Sequence, residues 1–152
     1  MTAPPRILAV ASGGGHWIQL LRLRPAFADC DVAFASVFAD YAADVPGHRY
    51  YTVTDATRRN AWRLGRLAAE LGRIVLRERP DVVVTTGAAP GLMALAAARL
   101  LTPARTMWID SIANVERLST SGRQARFVAH DWLTQWPDLA GPKGPAYWGS
   151  VL

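Results

Sequence analysis

The run Val10-Ala11-Ser12-Gly13-Gly14-Gly15-His16 constrains this chain more than any other segment. An apolar stretch, Ile7-Leu8-Ala9-Val10, precedes it, and an amphipathic one over residues 17–23 follows. The pattern reads as a buried strand over 6–12, a glycine turn and a helix start. Backbone without side chains can approach a ligand closely there. The unpaired N–H groups of the helix's first turn also favour an anion. His16, at that mouth, can exchange protons near neutral pH. A phosphate-bearing ligand beside an imidazole is the first functional expectation.

The rest of the chain alternates in the same way. Short apolar runs at 31–37 and 49–53 are separated by the turn Pro46-Gly47. Asn60 or Thr57 can cap a long helix over 61–79, whose apolar stripe is Leu64, Leu67, Ala68, Leu71, Ile74 and Val75. Pro80 stops it, and residues 81–86, with Val82-Val83-Val84 apolar on both faces, read as a parallel strand. Gly87-Ala88-Ala89-Pro90-Gly91 is a second small-residue turn, followed by a helix over 92–101 that Pro103 ends. A strand over 106–109 delivers Asp110 and Ser111 to its C-terminal end. A loop or cap at 119–122, a short helix through Ala129 and a strand over 132–136 follow. A tail rich in proline and glycine, from Pro137 onward, ends with Tyr147-Trp148-Gly149-Ser150.

Strands alternating with helices imply an α/β fold, a Rossmann-like open parallel sheet with helices on both faces. Residues 1–152 are expected to form one domain, a length that suits a single core. Ligands of such sheets sit beyond the carboxyl ends of the strands. If the strands order as in a doubly wound fold, the two glycine turns lie side by side and Asp110 ends the next strand along.

Composition excludes several classes. Hydrophobic residues make up 51 % of the chain, which argues against disorder. Cys30 is the one cysteine, so neither an internal disulfide nor a thiolate metal cluster is expected, and a reducing cytoplasm fits. No apolar run approaches the roughly 18–20 residues of a membrane span, and residues 1–6 lack a signal-peptide pattern. The net charge of +5 is nearly all arginine, Lys143 being the only lysine, and reflects either a biased genome or an anionic partner.

The turn at Gly13, Gly14 and Gly15 is not a dinucleotide fingerprint, because Ile18 stands where a third spaced glycine belongs. Nor does Gly-Lys-Ser/Thr follow, as a phosphate loop requires. By itself it is a tight turn or a ligand cradle; His16 favours the cradle, as a base or a donor to phosphate. Pro90 and Gly91 suit a helix start aimed at an anion, or a plain turn. Asp110 could be a base, hold a substrate hydroxyl, or cap a helix. His48 and His130 read as surface or packing residues. On the long helix Arg59, Arg63, Arg66, Arg73 and Arg77 fall opposite the apolar stripe. They form a solvated face with Glu70 paired to Arg66 or Arg73, or a surface for anionic lipid headgroups. With only Trp62 nearby, nucleic acid is not an expected partner.

Four segments occur in one order: Ser12-Gly13-Gly14-Gly15-His16; Asp81-Val82-Val83-Val84-Thr85-Thr86-Gly87; Asp110-Ser111-Ile112-Ala113-Asn114-Val115 with Leu118-Ser119-Thr120-Ser121-Gly122; and Gln135-Trp136-Pro137. Together they resemble the oligosaccharide-biosynthesis family of the ALG-fourteen type, including bacterial PssD-like exopolysaccharide proteins. The chain is similar, more remotely, to the N-terminal half of MurG-type glycosyltransferases. The resemblance implies the acceptor-side half of a split, inverting GT-B glycosyltransferase that uses no cofactor and no metal. A partner subunit would bind the UDP-sugar donor. The product would be a polysaccharide or lipid-linked oligosaccharide, made by passing N-acetylglucosamine or a uronic acid to a polyprenyl-diphosphate-linked acceptor. The place implied is the cytoplasm, peripheral at the inner face of the cell membrane. On this reading His16 and Asp110 are the catalytic candidates. Ser12, Gly13, Gly14, Gly15, Gly87, Ala88, Pro90 and Gly91 would cradle the acceptor diphosphate, and Arg59, Arg63, Arg66 and Arg73 would meet the membrane. The rival expectation is a non-catalytic scaffold that recruits the donor-binding subunit to the membrane.

Overall fold

Six strands of one sheet begin at, or one residue after, a charged side chain, and neighbouring strands begin with opposite signs. The computed structural model describes residues 2–151; Met1 and Leu152, the ends of the expected single domain, lie outside them. The strands are β1 (Arg6–Val10), β2 (Asp31–Ser36), β3 (Arg49–Thr52), β4 (Val82–Thr85), β5 (Arg105–Ile109), β6 (Asp131–Thr134) and β7 (Ala146–Tyr147). They form a seven-stranded sheet in the order β3-β2-β1-β4-β5-β6-β7, and every pairing is parallel. From β3 to β6 the lower edge therefore reads Arg49, Asp31, Arg6, Asp81, Arg105, Asp131. Arg49 bonds Asp31 at 2.9 Å, and Arg105 bonds Asp131 at 2.6 Å. Asp81 accepts the backbone N–H of Arg6 at 2.8 Å.

The order reverses between β1 and β4, which places the switch point of the sheet there. The helices are α1 (Gly15–Arg22), α2 (Ala61–Glu78), α3 (Ala88–Leu101) and α4 (Thr120–Ala125). One face of the sheet packs Leu8, Val10, Val83 and Trp108 against Leu67, Leu71 and Val75 of α2, Leu95 and Ala98 of α3 and Ala125 of α4. The other packs Ala9, Phe34 and Val84 against Trp17 and Leu20 of α1. Strands buried on both faces are apolar throughout, as Val82-Val83-Val84 is.

Besides α4, which ends at Ala125 and not Ala129, and β6, which spans Asp131–Thr134 and not 132–136, three features depart from the sequence expectation. The third helix starts at Ala88 rather than residue 92, so Pro90 and Gly91 lie inside its first turn. A proline at the third helical position costs nothing, since N–H groups there have no intrahelical partner. Arg59 precedes α2, which Asn60 caps by accepting the N–H of Arg63 at 3.2 Å. The tail after Pro137 is not irregular throughout. It makes a 3₁₀ turn at Pro137–Leu139 and then β7, which pairs with Leu133 and Thr134.

Candidate functional site

The two glycine turns meet at the upper end of the switch point, and the side chain of His16 joins them. At the first, Gly14 caps α1 with φ +64° and without a side-chain cap, its own N–H donating to the Tyr41 hydroxyl at 3.0 Å. At the second, Gly87 caps α3 with φ +132°, again without a side-chain cap. His16 Nδ1–H donates to the Thr86 carbonyl at 2.8 Å, and Thr86 Oγ1–H donates to the His16 carbonyl at 2.6 Å. A Cβ on Gly87 would stand 2.7 Å from the imidazole. Gly87 therefore serves two physical needs: a left-handed backbone and a seat for the ring. Ala88 follows with φ +64°, a conformation that costs a residue with a Cβ roughly 1–2 kcal/mol. Such strain is retained where surrounding contacts over-determine it, often at functional sites.

The bond to Thr86 settles the histidine's chemistry. A carbonyl only accepts, so Nδ1 carries the proton. In the neutral ring Nε2 is then an unprotonated acceptor. His16 lines a cleft of about 420 Å³ together with Ala88, Ser111, Asn114 and Arg58. Ser119, Thr120 and Ser121, at the start of α4, form its far wall. A base oriented by a backbone carbonyl, facing a hydroxyl-rich cleft, can take a proton from a bound hydroxyl group.

Some expected site residues face elsewhere. Gly13 lies under the Phe38 ring, whose Cε2 is 2.3 Å from where a Cβ would stand. Pro90 and Gly91 are buried, and a Cβ on Gly91 would sit 2.0 Å from Thr85 Oγ1. Gly91 thus lets α3 pack tightly on β4, facing Thr85 and not the cleft that His16 lines. The Ser12 carbonyl accepts the Ser36 hydroxyl at 3.2 Å. Gly14 and Gly15 have open space above them.

Asp110 ends β5 as expected, but its carboxylate is placed to build the loop. It is 1 % exposed. One oxygen accepts Trp108 Nε1–H at 3.0 Å and the Ser119 hydroxyl at 2.8 Å. The other accepts Asn114 Nδ2–H at 3.0 Å and Ser119 N–H at 3.1 Å. Four bonds fill what a carboxylate can accept, so no lone pair is left for a substrate proton. Asp110 fixes the segment 110–119 that forms the floor of the cleft.

Two buried amides were given no site role from the sequence, although Gln135 stands in one of the four ordered segments. Gln19 of α1 donates to Ser111 Oγ at 3.1 Å and accepts Ile112 N–H at 3.0 Å. Gln135, just past β6, donates to Gln19 Oε1 at 2.7 Å and to the Asp110 carbonyl at 2.9 Å. They tie the cleft's floor to α1 and to the last strands. The available signal was a glutamine inside the apolar run Trp17 to Leu23. A second hollow, of about 450 Å³, is lined by Cys30, Phe34 and His48 among others and receives neither glycine turn.

No family model matches the chain. Over 181 residues it is 29 % identical to the UDP-N-acetylglucosamine transferase subunit ALG14 of Eremothecium gossypii, covering 98 % of this chain and 81 % of that protein. That likeness is to a sugar-transferase subunit. Among solved structures, MurG of Acinetobacter baumannii superposes with a TM-score of 0.79 at 15 % identity, over 98 % of this chain and 46 % of that one. A UDP-N-acetylglucosamine 2-epimerase from Rickettsia bellii gives 0.70 at 13 % identity, over 97 % of this chain and 45 % of the other. This chain therefore spans less than half the length of those solved proteins, and they share its Rossmann-like α/β fold. No helix among the described residues is long and apolar enough to cross a membrane.

Proposed function

We propose that this chain is the acceptor-side domain of a split GT-B glycosyltransferase of the ALG14 type. It works with a separate donor-binding subunit that presents the UDP-sugar. The sugar, N-acetylglucosamine or a uronic acid, passes to a polyprenyl-diphosphate-linked acceptor at the inner face of the membrane. The observation that carries this reading is the His16 ring, held by Thr86 and seated on Gly87, with Nε2 free beside a hydroxyl-lined cleft. The likeness to a UDP-N-acetylglucosamine transferase subunit over 98 % of the chain supports it independently.

In the step proposed, His16 Nε2 takes the proton of the acceptor hydroxyl as its oxygen bonds to the sugar's anomeric carbon. The bond from that carbon to the UDP oxygen breaks, and UDP departs with the electron pair. Attack from the face opposite UDP inverts the anomeric centre. The open backbone at Gly14 and Gly15 and the strained start of α3 border the acceptor. Arg59, Arg63, Arg66 and Arg73 are exposed on or just before α2 and would face anionic headgroups. Such contacts bring about 1 kcal/mol per basic residue near the surface.

The test is sugar transfer from radiolabelled UDP-N-acetylglucosamine to a short polyprenyl-diphosphate sugar, with the donor-binding subunit present. His16→Ala is expected to lower kcat by about 10²–10⁴-fold, the span of general-base contributions. A rate equal to wild type removes His16 from the chemistry and favours the scaffold reading. Sedimentation with vesicles containing phosphatidylglycerol tests the arginine face. Arg63→Glu with Arg73→Glu is expected to abolish co-sedimentation.

A further inference from the structure

We propose that Arg58 is the cation that grips the acceptor's diphosphate, a role that rests on the function proposed above and locates its anion subsite. Arg58 lies in the segment between β3 and α2, outside both turns that the sequence marks out. It is the cationic side chain among the residues lining the His16 cleft, and no carboxylate lines that cleft. Its guanidinium reaches to the α4 side of the mouth. There Nη2 meets Gln124 Oε1 at 3.2 Å and Ser121 Oγ at 3.5 Å, both neutral acceptors.

Four arginines, Arg6, Arg49, Arg66 and Arg105, are paired with carboxylates, and among the others Arg58 is the one that lines the His16 cleft. Among the described residues Arg58 has none within ion-pair distance. A guanidinium offers five N–H donors in a planar fork, and here one nitrogen is engaged, at long range. The fork matches two phosphate oxygens at once, which a point charge such as lysine does not.

The opposite side of the cleft supplies a second donor. Ser111 is 8 % exposed. Its Oγ accepts from Gln19 Nε2 at 3.1 Å and from Ala113 N–H at 3.2 Å. With both lone pairs used, its proton has no acceptor on the described chain and is free for a ligand in the cleft. Gln19 thereby holds Ser111 as a donor. A fixed hydroxyl donor, an arginine without a counter-ion and a free imidazole nitrogen suit a diphosphate with a sugar hydroxyl beside it.

A diphosphate could belong to the lipid acceptor or to UDP. The structure assigns it to the acceptor, because Arg58 and His16 line one cleft and His16 must meet the acceptor hydroxyl. Calorimetry on the full chain alone uses farnesyl diphosphate, inorganic pyrophosphate and UDP as probes. Farnesyl diphosphate and pyrophosphate are expected to bind. Arg58→Ala should weaken both by about tenfold to a hundredfold, and Arg58→Lys should restore part of the loss. In the coupled transferase assay Arg58→Ala should raise the acceptor KM and leave the UDP-sugar KM unchanged. Because the side chain is exposed, the melting temperature should match wild type.

Wild-type affinity in Arg58→Ala overturns the proposal and leaves the transferase reading intact. Tight, Arg58-dependent binding of UDP overturns the assignment to the lipid. If the wild-type chain binds none of the three probes, the active or inactive transferase assay separates the outcomes. Activity then discards Arg58 alone, whereas inactivity discards the function with it.

Discussion

The lower and upper edges of one sheet are built by opposite rules. At the lower edge charges are paired: Arg49 holds Asp31 and, through two nitrogens, the buried Glu78, which also accepts the Tyr51 hydroxyl. At the upper edge the strands end mostly in small neutral groups, Ser12, Ser36, Thr85, Thr86 and Ser111, and the carboxylate of Asp110 is saturated by neutral donors. Charge there is left unpaired at Arg58, Gly14 and Gly87 take the positive φ that glycine allows, and Ala88 is strained as Arg79 is before β4. The lower edge uses its electrostatics to hold the fold. The upper edge leaves donors and acceptors open for something else. The difference teaches where substitution should cost stability and where it should cost function.

The largest effect should come from the upper edge. His16→Ala is expected to remove about 10²–10⁴-fold of transfer while stability falls only by the lost bond to Thr86, about 0.5–1.5 kcal/mol in urea titrations. Comparable losses in both measurements would erase the contrast. Gly87→Ala should follow, since a Cβ 2.7 Å from the imidazole must push the ring off Thr86. It should reduce transfer severely and, with φ at +132°, destabilise by about 1–3 kcal/mol in urea titrations.

Glu78→Ala probes the lower edge. It strands Tyr51 and half of Arg49's partners, and should cost about 1–2 kcal/mol once the solvent access of Arg49 is allowed for. Transfer per folded molecule should not change. Acid should act through the same groups. Burial pushes the Glu78 carboxyl up, but the bonds from Arg49 and Tyr51 outweigh it and hold the group below its ordinary value. The Arg105 hydrogen bond, against a smaller burial effect, does the same for Asp131. Groups whose folded pKa is depressed stabilise above the unfolded value and stop doing so as pH falls through the folded one. The urea midpoint should therefore hold from pH 7 to about 5 and decline below about 4, more shallowly in Glu78→Gln. The smallest expected effect is Ala88→Gly. Relief of the left-handed φ should add about 0.5–1 kcal/mol of stability, measured by thermal melting, and a loss instead would show that Ala88 is not strained.

Much of the fold was legible because periodicity and punctuation are local. Of the expected stripe Leu67, Leu71, Ile74 and Val75 are buried and Leu64 is half-buried, whereas Ala68 is exposed at its edge, and Asn60 caps the helix. The meeting of the two turns was also legible, since strands that alternate with helices bring their upper ends together at the switch point. The site was less so. Asp110 looked free because a sequence shows a carboxylate but not the four donors that converge on it from residues 108, 114 and 119. Arg58 looked like one arginine among many, since what singles it out is its place beside His16 in the cleft, which the fold decides. The short β7 was hidden because two residues carry no period.

By itself the sequence determined that apolar runs, glycine turns and amphipathic helices follow one another, and hence that His16 and Gly87 would stand at the same rim. Tertiary structure decided which of those small residues face open space and which meet the protein. Gly91 went to Thr85, Gly13 to Phe38 and Gly87 to the imidazole, because the free side of a glycine is filled by whatever packs there. Propensity is written along the chain; hydrogen-bond saturation and counter-ion absence exist only once distant segments are brought within about 3 Å of one another.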